Sequence, residues 1–319
     1  MMNKLWMLLI VCGLFACKKE RLYFQKIERI ESNTTSRLNR IMFVDDTTCV
    51  IAGGEKFLKA EVLVSRNGGN SWENDTFTQS GKGLYGMGIS PLGTIYMTGF
   101  DGTLVGTNDK GYSFTEKRIP NWEYHVGLSF VNSNRVVLVN TRAQKEGSIV
   151  IADSNQQILK TLDYDFGMND VQMADAQTGY VAGYGAIIKT KDGGESWDIL
   201  DVENDNFYAI HCLSADEVWV CGYNGSIVHT TDGGATWERL RNGNNIAIPK
   251  YHLLDITFKN ASDGYAVGEK GVVIYTSDGG KTWTRYNTFT EEALRSVTPC
   301  PDGTLLVVGD EGVIYRLHP

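Results

Sequence analysis

Along most of the chain, short apolar runs of strand length alternate with glycine-marked turns, and the runs come in pairs. Tyr180–Gly183 is followed by Ala186–Lys189, Val218–Gly222 by Ser226–His229, and Tyr265–Gly268 by Val272–Tyr275. Leu305–Gly309 pairs with Val313–Arg316 in the same way, and Ile95–Gly99 and Cys49–Gly53 open two more pairs. A seventh consists of Arg135–Val139 and Ser148–Ala152, joined by a longer turn through Gln144–Gly147. Each unit holds one further strand-like run ahead of the pair, such as Asp255–Phe258, and one behind it, such as Trp197–Leu200. Such short runs, with period-two alternation and β-branched or aromatic residues, predict strands. Helices would need stretches of roughly 10–15 residues with a 3.6 period, and none is found beyond the first 16 residues.

A sharper repeat fixes the period. Thr190-Lys-Asp-Gly-Gly-Glu-Ser-Trp197 recurs as Thr230-Thr-Asp-Gly-Gly-Ala-Thr-Trp237 and as Thr276-Ser-Asp-Gly-Gly-Lys-Thr-Trp283. Weaker copies run from Ser65 to Trp72 and from Thr107 to Phe114. The third positions are Asn67, Asp109, Asp192, Asp232 and Asp278, at intervals of 42, 83, 40 and 46 residues. The interval of 83 is two periods, and the unit at Arg135–Ala152 fills it without a box. Seven units of about 43 residues with four antiparallel strands each predict an all-β domain, a seven-bladed β-propeller spanning residues 22–319. The last unit stops at Pro319 after its third strand, while Leu22–Ile27 is a strand-like run without a unit. The N-terminal strand is therefore predicted to complete the C-terminal blade, which removes a free sheet edge and ties the ring by its two ends.

Composition agrees with numerous tight turns between aromatic-rich strands: 35 Gly and only 6 Pro, with 15 Tyr and 7 Trp. Before the first strand, Leu5–Phe15 is too short to span a bilayer and reads as a secretory core. It ends in Leu14-Phe15-Ala16-Cys17, which resembles the lipobox of bacterial lipoproteins. That resemblance implies a signal peptide over residues 1–16, lipidation of Cys17 and a tether over 17–21, so the chain would be exported and lipid-anchored to a bacterial membrane, at the outer membrane or cell surface. With about five residues between anchor and first strand, the reach is roughly 17 Å. Export permits disulfides, but Cys49, Cys212, Cys221 and Cys300 form no framework and are expected to be free, with Cys212 opposite Trp219 and off register with Cys221. No zinc-type spacing is present. Net charge is −8, becoming −9 without Lys4, and the pI of about 5.2 argues against nucleic-acid binding.

In the box, an Asp carboxylate can accept backbone N–H bonds in a tight turn, Gly supplies positive φ and Trp is an apolar plug. Asn67, Trp72, Asp109, Asp192, Trp197, Asp232, Trp237, Asp278 and Trp283 are accordingly read as structural. The box lacks the alternating ligands of a calcium loop, and no metal or cofactor is expected. The pattern resembles the Asp-box, or BNR repeat, of sialidases, sortilin-type receptors and the photosystem II assembly and stability-factor propellers. Over residues 22–319 the resemblance is to the assembly-factor-like propellers, whose ring is a non-enzymatic platform for other proteins. Arg118-Ile119-Pro120 echoes a sialidase motif, but it follows two boxes instead of preceding the first, and no arginine triad or nucleophile pair is assembled by the sequence.

Candidate binding residues come from the strand opening each unit. Arg40, Gly86, Gly127, Asp170, Ala209, Asp255 and Arg295 form one column, and Met42, Gly88, Ser129, Gln172, His211, Thr257 and Val297 form another two positions on. The column between is largely apolar, so the polar columns are expected to face a central channel, with its two Arg and two Asp neutralising each other. Loops leading into these strands carry Tyr85, Trp122, Tyr124, His125, Phe207, Tyr208, Tyr251 and His252 around one mouth of the ring. The candidate set is Arg40, Tyr85, Trp122, Tyr124, Asp170, Tyr208, His211, Tyr251, Asp255 and Arg295, with no catalytic residue assigned. The expected function is a lipid-anchored, non-enzymatic propeller binding a protein partner through that mouth. A carbohydrate-binding surface lipoprotein is the alternative, and a sialidase-like glycoside hydrolase is the remoter one.

Overall fold

The computed structural model describes residues 21–75, 81–143, 145–202 and 205–319; the signal segment and Cys17 lie outside them. Seven four-stranded antiparallel sheets form a ring of blades. From blade 1 to blade 7 the innermost strands are Leu38–Phe43, Leu84–Ile89, His125–Asn132, Met168–Met173, Phe207–Cys212, Leu253–Phe258 and Leu294–Pro299. The paired apolar runs of the sequence are the second and third strands, buried along nearly their whole length because both faces meet a neighbouring blade. Among the described residues the core is correspondingly seven clusters, one in each gap between blades.

Blade 7 is closed by Lys26–Ile30, which pairs antiparallel with Ile314–His318 from Lys26↔His318 to Ile30↔Ile314. The strand thus lies further along than the predicted Leu22–Ile27. Residues 22–25 instead cross from blade 6: Leu22 forms a parallel bridge to Tyr286, and the Phe24 ring stacks on Tyr286 at 3.8 Å.

The boxes are self-contained turns. Asp192 Oδ1 accepts the Ser196 N–H at 2.9 Å, Thr190 Oγ1 accepts that of Gly194 at 2.9 Å, and Gly193 and Gly194 have φ of 71° and 90°. Asp232 and Asp278 repeat these contacts, and hydrogen bonding to Ser196 and Thr236 holds the carboxyls of Asp192 and Asp232 down to about 2. Each box aromatic plugs the gap to the preceding blade, as Trp197 does between blades 3 and 4. Strand direction places every box on one face of the ring and every loop leading into an inner strand on the other, here called the mouth face.

All seven inner strands carry a bulge at their second residue, where pairing skips Asn39, Tyr85, Val126, Asn169, Tyr208, Leu254 and Arg295. This corrects the predicted columns. Ser296, not Arg295, stands level with Arg40, and Val297 belongs with the apolar residues between the blades. Cys212 lies opposite Val218, while His211 is opposite Trp219, because a five-residue loop, Leu213–Glu217, joins the strands. The four cysteines of the described residues carry free thiols, three of them buried and Cys212 partly so.

Candidate functional site

The polar channel column stitches the ring. The free edge of each inner strand presents N–H groups to the preceding blade, and buried donors need acceptors. Asp170 Oδ2 accepts the Ile210 N–H at 3.1 Å, Asp255 Oδ2 that of Val297 at 2.9 Å, and Gln172 Oε1 that of Cys212 at 2.8 Å. Between blades 2 and 3 the backbones approach directly: a Cβ on Gly86 would lie 2.9 Å from the Gly127 Cα. Arg40 crosses the channel to both acids, 3.2 Å from Asp170 and 3.8 Å from Asp255. Burial raises the carboxyl pKa of each Asp against the opposing pull of Arg40, while Arg40 is held above its ordinary value by the two acids despite its own burial. His211 lines the same channel and is pushed down to about 4 by burial, so its ring is neutral near neutral pH.

Arg40 separates two spaces. Toward the boxes lies a cavity of about 380 Å³ walled by the channel columns, and toward the mouth a depression of about 170 Å³ lined by Tyr85, Tyr124, Tyr208 and Arg295. Arg295, shifted out of the channel by its bulge, shares Asp310 with Arg37, each pair including a contact at 3.1 Å. The expected two-Arg, two-Asp neutralisation is therefore one Arg on two Asp inside and two Arg on one Asp at the mouth.

Around the depression, aromatic rings form two groups. On blades 1–3, Tyr124 stacks on Phe100 at 4.0 Å, Tyr85 meets Tyr124 edge-on at 4.8 Å, and Phe57 lies 4.7 Å from Phe100. Lys56 stands 5.2 Å over Phe100 and Lys82 5.0 Å over Phe57. On blades 5 and 6, Tyr223 stacks on His252 at 4.4 Å, with Tyr208 beyond it at 5.8 Å. Tyr251 is not at the surface. It is 7% exposed in the wall between blades 5 and 6, with Arg241 donating to its hydroxyl at 3.1 Å.

Trp122 is more exposed than any of these, at 69%, and its backbone is left-handed at φ 56°. A bulky side chain takes that conformation only where its surroundings impose it. Ile119, fully buried, donates its N–H to the Gly102 carbonyl at 2.8 Å, and Gly102 donates to the Glu123 carbonyl at 2.8 Å. Asn121 Oδ1 accepts from His125 Nε2 at 3.1 Å; burial pushes His125 down to about 3, so the ring is neutral and donates from that nitrogen. Arg118 lies 5.0 Å over the indole. The Arg118-Ile119-Pro120 segment is thus a bracket that projects Trp122.

Phe57, Phe100, Tyr223, Lys56, Lys82 and Arg37 were not among the predicted site residues. Phe57 and Leu58 had a signal, an apolar pair inside a lysine-flanked hairpin turn. Phe100 follows its blade glycine where blades 4–7 carry Tyr or an acid, and only the fold places it beside Tyr124. As for hydrolysis, Arg37, Arg40 and Arg295 are each committed to a carboxylate, and burial raises the hydroxyl pKa of Tyr85 and Tyr124, the reverse of nucleophile activation.

The family model described as photosynthesis system II assembly factor YCF48 matches residues 149–250 and 244–315. No curated protein matches the sequence. Among solved structures, a YCF48 bound to D1 peptide superposes with a TM-score of 0.73 at 14% identity, over 94% of this chain and 99% of that one. YCF48 from Cyanidioschyzon merolae gives 0.71 at 16% identity, over 92% and 98%. A streptogramin B lyase gives 0.74 at 14% identity, over 92% and 97%, a likeness of fold.

Proposed function

Since the chain belongs to the photosynthesis system II assembly factor YCF48 family, we propose that it is a non-enzymatic platform that holds a protein partner against its mouth face and is tethered to a membrane through lipidated Cys17. The observation that carries this reading is Trp122, exposed and fixed by its bracket before any partner arrives. Exposed tryptophan on a preorganised loop is the side chain that dominates protein interfaces, because it buries a large area while losing little conformational freedom. It has company. Phe57, Leu58, Tyr184, Tyr223 and Ile246 are also exposed on the mouth face, whereas the box face exposes Leu92, Tyr112 and Leu213. A YCF48 of this fold is bound to D1 peptide, which supports a polypeptide as the ligand class. The lipobox-like Leu14–Cys17 supports the tether.

The test is site-specific photocrosslinking in the native host, with the reactive side chain at Trp122 or, as a control, at Tyr112 on the box face. A discrete protein adduct from position 122 and none from 112 is expected. Trp122→Ala should lower capture of that partner roughly 30-fold, the loss of a hot spot worth about 2 kcal/mol. Equal labelling from both faces, or a glycan as the retained ligand, would sink the assignment. The tether is tested separately, by the mass of the mature N-terminus and by release of Cys17→Ser from the membrane fraction.

A further inference from the structure

The N-terminal crossing fixes which edge of the ring is nearest the anchor. Leu22 is held on the outer strand of blade 6, its N–H donating to the Arg285 carbonyl at 3.1 Å and its carbonyl accepting from Asn287 at 2.9 Å. Gln25 then donates to the His318 carbonyl at 2.8 Å as the chain enters blade 7. Only residues 18–21 separate Leu22 from Cys17, a span of at most about 18 Å for the five bonds concerned. Leu22 and Phe24 turn inward, while Arg21, Tyr23, Lys26 and Arg29 face solvent, Tyr23 at 71% exposure.

Charge separates along the same line. Residues 21–29 carry three bases and one acid, a net +2, while the rest of the chain after Cys17 carries −11. An anionic bilayer would therefore attract this edge and repel the remainder of the ring, and an outward tyrosine between basic residues suits the headgroup layer. We propose that the outer edge of blades 6 and 7, carrying residues 21–29, docks on anionic phospholipid headgroups, so that the ring stands edge-on with the mouth face clear of the bilayer. The orientation rests on the Cys17 anchor proposed above; the headgroup contact does not.

The contact is tested on the unlipidated Cys17→Ser chain by flotation with vesicles of phosphatidylcholine, alone or with about one-third phosphatidylglycerol. Partitioning onto the anionic vesicles should exceed that onto the neutral ones by roughly 30-fold at low salt, from two net charges near the surface, and vanish at high salt. The variant R21Q/K26Q/R29Q should lose it, with an unchanged melting curve. Equal binding to both vesicle types, or full retention by the variant, overturns the contact. The orientation is tested on the lipidated chain with a fluorophore at position 23 or, on the exposed outer strand of blade 3, at 159, using headgroup-quencher lipids. Strong quenching at 23 and little at 159 is expected, and equal quenching overturns it. A mature N-terminus without acyl mass would remove the anchor alone and leave the flotation result standing.

Discussion

Replacing Arg40 with methionine removes the charge that spans the channel and keeps much of the side-chain volume. At separations of 3.2 and 3.8 Å, and an effective dielectric of about 20, its attractions to Asp170 and Asp255 are roughly 5 and 4 kcal/mol before desolvation is subtracted. Removing one partner of a buried ion pair costs about 3–5 kcal/mol net, and here two carboxylates are left facing each other. The loss should depend on pH. Burial already raises the pKa of both acids above the ordinary 3.8, and Arg40 is the main group lowering them, so its removal raises them further. A carboxyl whose folded pKa exceeds its unfolded one stabilises the fold at low pH, and that contribution is lost as pH rises through the folded value. Arg40→Met should therefore be least stable near pH 8 and regain about 1–2 kcal/mol near pH 5, where one proton does part of the guanidinium's work. Box aspartates such as Asp192, held down to about 2, stay ionised across this range and do not contribute to the slope. Urea unfolding followed by tryptophan fluorescence at both pH values, referenced to wild type, measures the effect. An equal loss at both, or a loss below about 1 kcal/mol, would show that the channel charges are solvated and that this account of the ring's axis is wrong.

Two further substitutions probe the bracket and the closure. Gly102 has φ 68°, and a Cβ there would lie 2.1 Å from the Ile119 carbonyl oxygen. Gly102→Ala should cost more than about 2 kcal/mol in chemical unfolding and lower partner capture as Trp122→Ala does; an undisturbed fold would mean that the bracket is not rigid. Phe24→Ala removes the ring stacked on Tyr286 and should cost roughly 2–3 kcal/mol while speeding tryptic cleavage after Arg21 and Lys26. Unchanged melting and proteolysis would place ring closure in Lys26–Ile30 alone.

The blade count was legible because one physical requirement is repeated in each unit. Tyr180–Gly183 and its counterparts must be apolar on both faces to fill the gaps, and in five of the seven units a box adds its own turn, which at Asp192, Asp232 and Asp278 spends an acid, a hydroxyl and two glycines. The axis was less legible. Arg295 is as polar as Arg40, and nothing in the local sequence says that a bulge turns it toward Asp310 while Ser296 takes the channel position. Tyr251 and Trp122 occupy comparable loops, yet one lies beneath Arg241 and the other projects into solvent. The difference is made by Gly102, Asn121 and His125, whose hydrogen bonds fix the residues on either side of Trp122. The N-terminal crossing escaped because a single bridged residue, Leu22, has no period to reveal it.

The two faces of the ring divide the work. On the box face, Asp192, Asp232 and Asp278 already accept from their own turns, so the repeated acid is spent on the fold. On the mouth face the loops differ from blade to blade, from the hairpin carrying Phe57 to the bracketed Trp122 and the segment with Ile246, so recognition can be built there without disturbing the repeat. Glycine contacts and seam hydrogen bonds keep the inner strands in register beneath those loops, and the Arg40 bridge ties blade 1 to blades 4 and 6. A partner would then meet a surface whose aromatic positions are fixed by the whole ring, which lowers the ordering cost of binding.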